Sequence, residues 1–357
     1  MPQPDRWDLV FKLDDLAVSE VREAPSPRLQ PGEVSLAVER FGLTTNNATY
    51  ARFSEPGFSY WDAFPGPDGY GRVPVWGFAR VEESRHPDIA VGSRFYGLMP
   101  MSSHHVAAPE PTPRGFADTT PALHYLPPWY WNFQRVGEPG ERDDRRAIVR
   151  AVYPAVLNLA DMLERQAAAG VRSVVVTSAS SKVAIGLAER LSSRRAGLAA
   201  IGVTSAGNAA FVEGLGLYDT VVSYDALSSL PPTGPVVFVD LTGEAGRQSA
   251  VCERLAAELR HTAMVGFTHP DSSIEPPALP GPEPEFFFTP LVEAQTIEQE
   301  GADRYHARYT EAEDGFVDST ATWLTIRHAK GPGAVADVFG SLLAGQQPPD
   351  VSYVFRP

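Results

Sequence analysis

The 357-residue chain has one cysteine, Cys252, and only three lysines, Lys12, Lys182 and Lys330. One thiol excludes an intrachain disulfide framework and any zinc site built from several cysteines. No apolar run reaches the ~18–20 residues that span a membrane. The opening residues, MPQPDRWDLVFKLDDL, have no basic segment followed by an apolar one, so no secretory signal is expected. Positive charge is also scarce: 30 basic against 44 acidic side chains give a formal net charge of −14. That balance argues against nucleic acid or an anionic membrane surface as partner, but is compatible with a small anionic ligand in a local pocket. The adjacent His104 and His105 would diverge on a strand, and no metal site is expected. A cytoplasmic protein acting on a small molecule is the expectation.

What is present is ordinary globular composition, 43% hydrophobic and 21% charged. At ~150 residues per domain the length suggests two domains. Residues 1–142 are rich in Pro, Gly and aromatics. Short β-like runs at 34–38, 73–81 and 94–98 are separated by turn signals, which indicates an irregular β-rich domain. The charged stretch 138–146, EPGERDDRR, suits a linker or exposed loop. From 143 to 290 strands alternate with helices. Strands are expected at 173–177, 199–203, 220–222, 235–239 and 262–265, with a sixth at 286–288. Helices are expected at 147–165 (interrupted by Pro154), 183–191, 209–215 and 250–259. This alternation predicts an α/β fold with a parallel, doubly wound sheet. Residues 270–284 read as a loop. The tail, 291–357, holds helices near 292–309 and 334–343 and β runs at 322–326 and 351–355.

A strand, a short polar turn and a helix form the layout of a dinucleotide site, because helix N-terminal N–H groups attract a pyrophosphate. The turn reads Thr177-Ser178-Ala179-Ser180-Ser181-Lys182. Serine and alanine stand where a fingerprint would have glycine, and their hydroxyls can add direct hydrogen bonds. Lys182 falls in the first helical turn, where a cation opposes the helix dipole unless an anion offsets it. It reads either as a phosphate contact or as a solvated surface lysine. The second strand ends in Thr204-Ser205, with Asn208 beyond and no carboxylate for a ribose 2′-hydroxyl. NADP(H) is therefore preferred over NAD(H), although Thr204 and Ser205 can equally cap the next helix. Tyr224 is expected near the adenosine end.

Several segments carry a family resemblance. They are Pro31-Gly32-Glu33-Val34 with Gly42-Leu43, the turn and strand Val91-Gly92-Ser93-Arg94-Phe95-Tyr96-Gly97, the stretch 201–224, and the tail from 333 to 355. Together they resemble the medium-chain dehydrogenase/reductase superfamily in its zinc-free, quinone-oxidoreductase-like branch. Asn46-Asn47-Ala48-Thr49-Tyr50-Ala51, Tyr60-Trp61, Val73-Pro74-Val75-Trp76-Gly77-Phe78 and the Ser-Ala-Ser-Ser-Lys turn are similar to a bacterial group defined as a domain of unknown function within that superfamily. The resemblance implies a GroES-like catalytic domain built from both chain ends, 1–142 and 291–357. It also implies an inserted Rossmann domain at 143–290, an active cleft between them, and a homodimer. The expected cofactor set is Thr177, Ser178, Ser180, Ser181, Lys182, Thr204, Ser205, Asn208, Tyr224, Leu241 and Gly266.

Zinc-free relatives transfer hydride to activated C=C or C=O bonds, and the protein stabilises the developing oxyanion. Thr49-Tyr50-Ala51-Arg52 resembles a motif whose tyrosine faces the cleft, which makes Tyr50 the expected proton or oxyanion donor. Asn47 is the second catalytic candidate, with Asn46 beside it; the alternatives are a core tyrosine and a turn-shaping asparagine pair. Tyr60, Trp61 and Tyr130 are the expected aromatic wall of a substrate pocket, or else packing residues. No Gly-x-Ser-x-Gly elbow is present, which argues against a hydrolase. The leading expectation is an NADPH-dependent reductase of a small enone, quinone or carbonyl compound. The alternatives are a lyase, dehydratase or isomerase on the same scaffold, and a nucleotide-binding protein without turnover.

Overall fold

In the computed structural model, residues 5–52, 54–55, 58–194, 197–231, 234–267, 272 and 277–357 are described. The chain forms two compact units. One runs up to Ala151 and resumes at Leu324–Pro357; the other is Val152–Trp323.

The first unit is the β-rich one. Its main sheet has nine strands among the described residues, centred on Val34–Leu43, Pro74–Ser84 and Arg94–Pro100. The last strand of the chain, Val351–Arg356, pairs antiparallel with Val34–Leu43, so both chain ends build one sheet. This is the GroES-like domain expected from the resemblance. Its core holds Trp7, Phe41, Phe95, Phe116, Phe133, Phe339 and Phe355, all nearly inaccessible to water.

The second unit contains a six-stranded parallel sheet. In chain order its strands are Ser173–Val176, Ala199–Thr204, Thr220–Ser223, Val236–Asp240, Leu259–Met264 and Glu285–Phe286, and their spatial order is 3-2-1-4-5-6. That is the Rossmann order, with its topological switch between the first and fourth strands. Side chains alternate along a strand. Val174 and Val176 join a core layer with Leu159, Leu163 and Leu187, while Val175 joins one with Ile201, Phe238 and Val251. Both faces are covered, which is why these strands read as unbroken apolar runs.

Three expectations need correction. Residues 138–146 are not simply an exposed linker, because a helix starts within them at Asp143–Val149. Arg94, with a nearly buried side chain, pairs with Asp143 at 2.8 Å, and Arg40 pairs with Asp144 at 2.6 Å. These acids face inward arginines, and they hold residues 143–151 with the first unit. The stretch expected to break at Pro154 does break there: one helix ends at Val149 and Pro154 sits in the first turn of the next, Tyr153–Ala168, where its missing N–H costs nothing. The segment expected as one helix at 292–309 is two, Thr289–Glu300 and Ala302–Ser319, divided at Gly301 with φ 88°. Both belong with the second unit, not with the β-rich one. Asn158 donates to the Tyr305 hydroxyl, Thr296 donates to Asn158, and Arg308 pairs with Asp161 at 2.7 Å. The unit boundaries therefore fall after Ala151 and Trp323 rather than after 142 and 290.

Candidate functional site

Two groups of polar residues stand out, one in each unit. The first lies at the switch point of the parallel sheet. The turn leaving Ser173–Val176 enters the helix Lys182–Arg194 within five residues. Ser178 holds φ 49°, the one left-handed non-glycine among the described residues. It takes the conformation a glycine of the usual fingerprint would supply, at a cost of roughly 1–2 kcal/mol. Gly202 lies alongside. A Cβ there would sit 2.9 Å from the Ala179 Cβ and the Tyr218 ring, so the second strand passes too close for any side chain.

Much of the turn's hydrogen-bonding capacity is used inside the protein. Thr177 N–H donates to the Val239 carbonyl and Ala179 N–H to the Val203 carbonyl. Ser178 N–H donates to the Tyr224 hydroxyl at 2.8 Å. Burial pushes that hydroxyl above its ordinary range, so it stays protonated at neutral pH. Ser181 caps the helix: its Oγ accepts from Ala184 N–H at 3.2 Å. Asn208 donates from its side chain to the Ser180 Oγ at 3.1 Å, and its backbone N–H donates to the Ser205 carbonyl. Ser205 is exposed at the N-cap of Ala206–Gly214, whereas Thr204 is buried at the end of its strand. Lys182 is the first residue of its helix.

The Thr177 side chain is bonded within the fold. Its hydroxyl donates to Asp240 Oδ1 at 2.6 Å and accepts from Leu241 N–H at 2.9 Å. Asp240, with no exposed surface, ends the fourth strand. Besides Thr177, its oxygens accept from Thr242 N–H and Oγ1, Gly243 N–H and the Gln248 amide. A buried carboxylate is tolerable only when so many donors replace its water. Leu241 and Gly266 meet beside it; a Cβ on Gly266 would lie 2.5 Å from the Leu241 carbonyl oxygen. Thr177 and Leu241 therefore hold the switch point together.

Asp240 and Gln248 were missed by sequence reasoning. The signal for Asp240 was available, since an acid ends the apolar run VVFVD and a Thr-Gly turn follows. Arg247 was missed too. Its guanidinium stacks 4.0 Å over the centre of the Tyr224 ring. Nothing in the local sequence distinguishes it from other arginines.

The second group lies in the β-rich unit. Tyr50, on the helix Thr45–Arg52, is 4% exposed. Its oxygen accepts from the Asn46 amide at 2.7 Å and from the Trp76 indole N–H at 3.0 Å. Asn46 and Tyr50 are four residues apart, which stacks them on one helix face. Burial pushes the Tyr50 hydroxyl up to about 12, against the lowering effect of those two donors. The Tyr50 and Tyr60 rings are 4.5 Å apart, and Tyr130 stands edge-on to both. The Tyr60 and Tyr130 hydroxyls are hydrogen bonded to each other, and burial holds both well above the ordinary phenol range. Trp129 continues the cluster from Tyr130 to Trp76.

Two expected members are elsewhere. Asn47 uses both its polar atoms in the fold, accepting from Thr44 N–H at 2.9 Å and donating to the Pro74 carbonyl at 3.0 Å. Asn46, not Asn47, meets Tyr50. Trp61 turns into the core, packed where a side chain on Gly71 would have to go. Trp76 and Trp129 are the indoles that accompany the tyrosines. Among the described residues no group of His, Cys, Asp and Glu is placed to hold a metal. No described helix is long and apolar enough to cross a membrane.

Solved structures share this architecture at low identity. The CurA protein of Vibrio vulnificus, solved in complex with NADPH, is 14% identical, with 95% of this chain and 94% of that chain covered and a TM-score of 0.61. A mutant enoyl thioester reductase from Candida tropicalis is 10% identical, covered over 99% of both chains, with a TM-score of 0.58. The yhdH oxidoreductase of Salmonella enterica, solved with NADP, is 13% identical, covered over 98% and 99%, with a TM-score of 0.56. A comparison with curated proteins finds no match. These likenesses establish the fold, which is that of the medium-chain dehydrogenases/reductases. Over residues 41–348 the sequence matches the family described as "Protein of unknown function (DUF2855)", and the chain belongs to that family.

Proposed function

We propose that this protein is an NADPH-dependent oxidoreductase that reduces a small enone, quinone or carbonyl compound without zinc. The observation that carries the reading is the turn at the switch point of the 3-2-1-4-5-6 sheet. A helix opens there behind a left-handed Ser178, and the neighbouring second strand ends in Thr204-Ser205 with no carboxylate. A carboxylate at that place would repel a 2′-phosphate, whereas the hydroxyl and amide groups of Ser205, Ser180 and Asn208 can donate to one. Solved proteins of this fold described with NADPH or NADP bound support the same choice.

Bound NADPH would supply the hydride for a polarised C=C or C=O bond. Tyr50 supplies the other half of the chemistry. With Asn46 and Trp76 both donating into its oxygen, its remaining capacity is its own O–H proton. At about 12 its hydroxyl is protonated at every physiological pH, so it acts as a donor and not as a base. It gives a hydrogen bond to the substrate oxygen and then the proton, while Asn46 and Trp76 stabilise the phenolate left behind. Tyr60 and Tyr130 present aromatic faces suited to a conjugated substrate. The test is NADPH consumption by purified protein with a panel of enones, quinones and simple carbonyls. Turnover with at least one class is expected; binding of NADPH without consumption across the panel would overturn the reductase reading. The second reading, a dinucleotide-binding protein without turnover, would then stand. It is favoured by one observation, that Tyr50 is buried with both donors already engaged on it.

A further inference from the structure

We propose that Arg247 is the cation that engages a phosphate of the dinucleotide, held in place by the Tyr224 ring beneath it. The inference rests on the NADPH reading above and adds to it a residue that reads the ligand's charge.

The placement follows from the sequence Glu244-Ala245-Gly246-Arg247-Gln248. Glu244 is the N-cap of the helix Ala245–Leu255, and its carboxylate accepts from the backbone N–H groups of Gly246 and Arg247. Gln248, one residue on, turns inward and donates to Asp240 Oδ2. Asp240 is in turn bonded to Thr177, the first residue of the turn. Successive helical residues are about 100° apart around the axis, so fixing Gln248 on Asp240 sends Arg247 to a different face. There its guanidinium lies 4.0 Å over the Tyr224 ring, and the Tyr224 hydroxyl accepts from Ser178 N–H. Two separate chains of contacts thus tie this one arginine to the phosphate turn.

The chemistry of the turn explains why a cation is needed. Backbone N–H groups that could point at a phosphate are spent internally at Thr177, Ser178 and Ala179. The glycine fingerprint that lets a backbone approach a phosphate closely is missing. The Arg247 side chain keeps 30% of its surface exposed. Among the described residues its one ion pair is a loose 3.6 Å contact from Nε to Glu244. Among the described residues the two terminal nitrogens have no hydrogen-bond acceptor. A guanidinium stacked on an aromatic face, with its outer fork open, is pre-organised for two parallel hydrogen bonds to a phosphate. In a chain of net charge −14 such a local cation also offsets the general repulsion of an anionic ligand.

The test uses the full-length protein and its Arg247→Gln and Arg247→Lys variants. Each is titrated with NADPH and with NADH by nicotinamide fluorescence, with thermal midpoints confirming folding. The Gln variant should bind about ten- to a hundredfold more weakly, the range for a lost charge-assisted bond. The Lys variant should fall between, because a point charge cannot reproduce the planar fork. Loss confined to NADPH identifies the 2′-phosphate as the group held; equal loss for both nucleotides identifies the diphosphate bridge. Should the Gln variant fail to fold, the Lys variant decides. Unchanged affinities in the folded variants, with the native protein binding, would overturn the role of Arg247 and leave the cofactor reading intact. Absence of binding by the native protein would overturn both.

Discussion

Replacing Thr177 by valine keeps the shape of the side chain and removes one oxygen. That oxygen makes two bonds in a site without solvent, to Asp240 at 2.6 Å and from Leu241 N–H at 2.9 Å. The bond to a buried carboxylate is worth about 1.5–3 kcal/mol, and the stranded Leu241 N–H adds a desolvation cost of about 1–3 kcal/mol. The two overlap in one network, so a loss of about 2–4 kcal/mol is expected rather than their full sum. For a unit of this size each kcal/mol moves the midpoint by about 2–4 °C, which predicts a drop of about 4–16 °C. Differential scanning calorimetry of the native protein, Thr177→Val and Thr177→Ser measures it. Serine keeps the hydroxyl and should lose at most about 1 kcal/mol. A valine variant within about 1 °C of the native midpoint would refute the view that Thr177 ties the turn 177–182 to Asp240.

Other consequences can be checked alongside. Tyr50→Phe should lower turnover at least about tenfold while leaving NADPH affinity within about twofold, since donor loss affects the transition state most; equal turnover would remove Tyr50 as the donor. Lys182→Ala should weaken NADPH binding by about 1–3 kcal/mol if the side chain meets a phosphate, and an unchanged affinity would assign it to the helix surface alone. Tyr50 and Tyr153 are each pushed up to about 12, mainly by burial. A folded value above the unfolded ~10 contributes stability that is whole below pH 10 and is lost as pH rises toward 12. Phenolate absorbance should therefore show a late-titrating class of tyrosines appearing together with loss of structure between about pH 10 and 12. Complete ionisation near pH 10 in a folded protein would contradict their burial.

The alternation of apolar runs and helical stretches is legible because a doubly covered parallel sheet requires it. The six strands of the second unit appear in the sequence within a few residues of their places in the fold. Residues 143–146 read as an exposed linker because they are charged, while Asp143 and Asp144 pair with Arg94 and Arg40 on distant strands. No local pattern carries that pairing. The two-helix hairpin from 289 to 319 was blurred for a related reason. Its membership of the second unit depends on Asn158 and Asp161, more than a hundred residues earlier.

The candidate site was legible by residue type but not by direction. Tyr50, Tyr60 and Tyr130 come together, as do Ser178 with Tyr224 and Ser180 with Asn208. Neighbouring residues exchanged roles wherever one position decides which way a side chain points. Asn46 reaches Tyr50 while Asn47 reaches the Pro74 carbonyl, and Tyr60 joins the tyrosines while Trp61 fills the core over Gly71. Asp240 and Arg247 act through tertiary contacts with Thr177 and Tyr224, which no spacing along the chain announces.

On the proposed reading, the glycine-less turn at the switch point serves a phosphorylated dinucleotide. Titration of the purified protein with NADPH and with NADH, read by nicotinamide fluorescence and by heat, tests it most directly. Micromolar binding of NADPH with NADH at least about tenfold weaker is predicted, because hydroxyl and amide groups stand where a carboxylate would select NADH. Equal or tighter binding of NADH would contradict the 2′-phosphate reading, and binding of neither would contradict the claim itself.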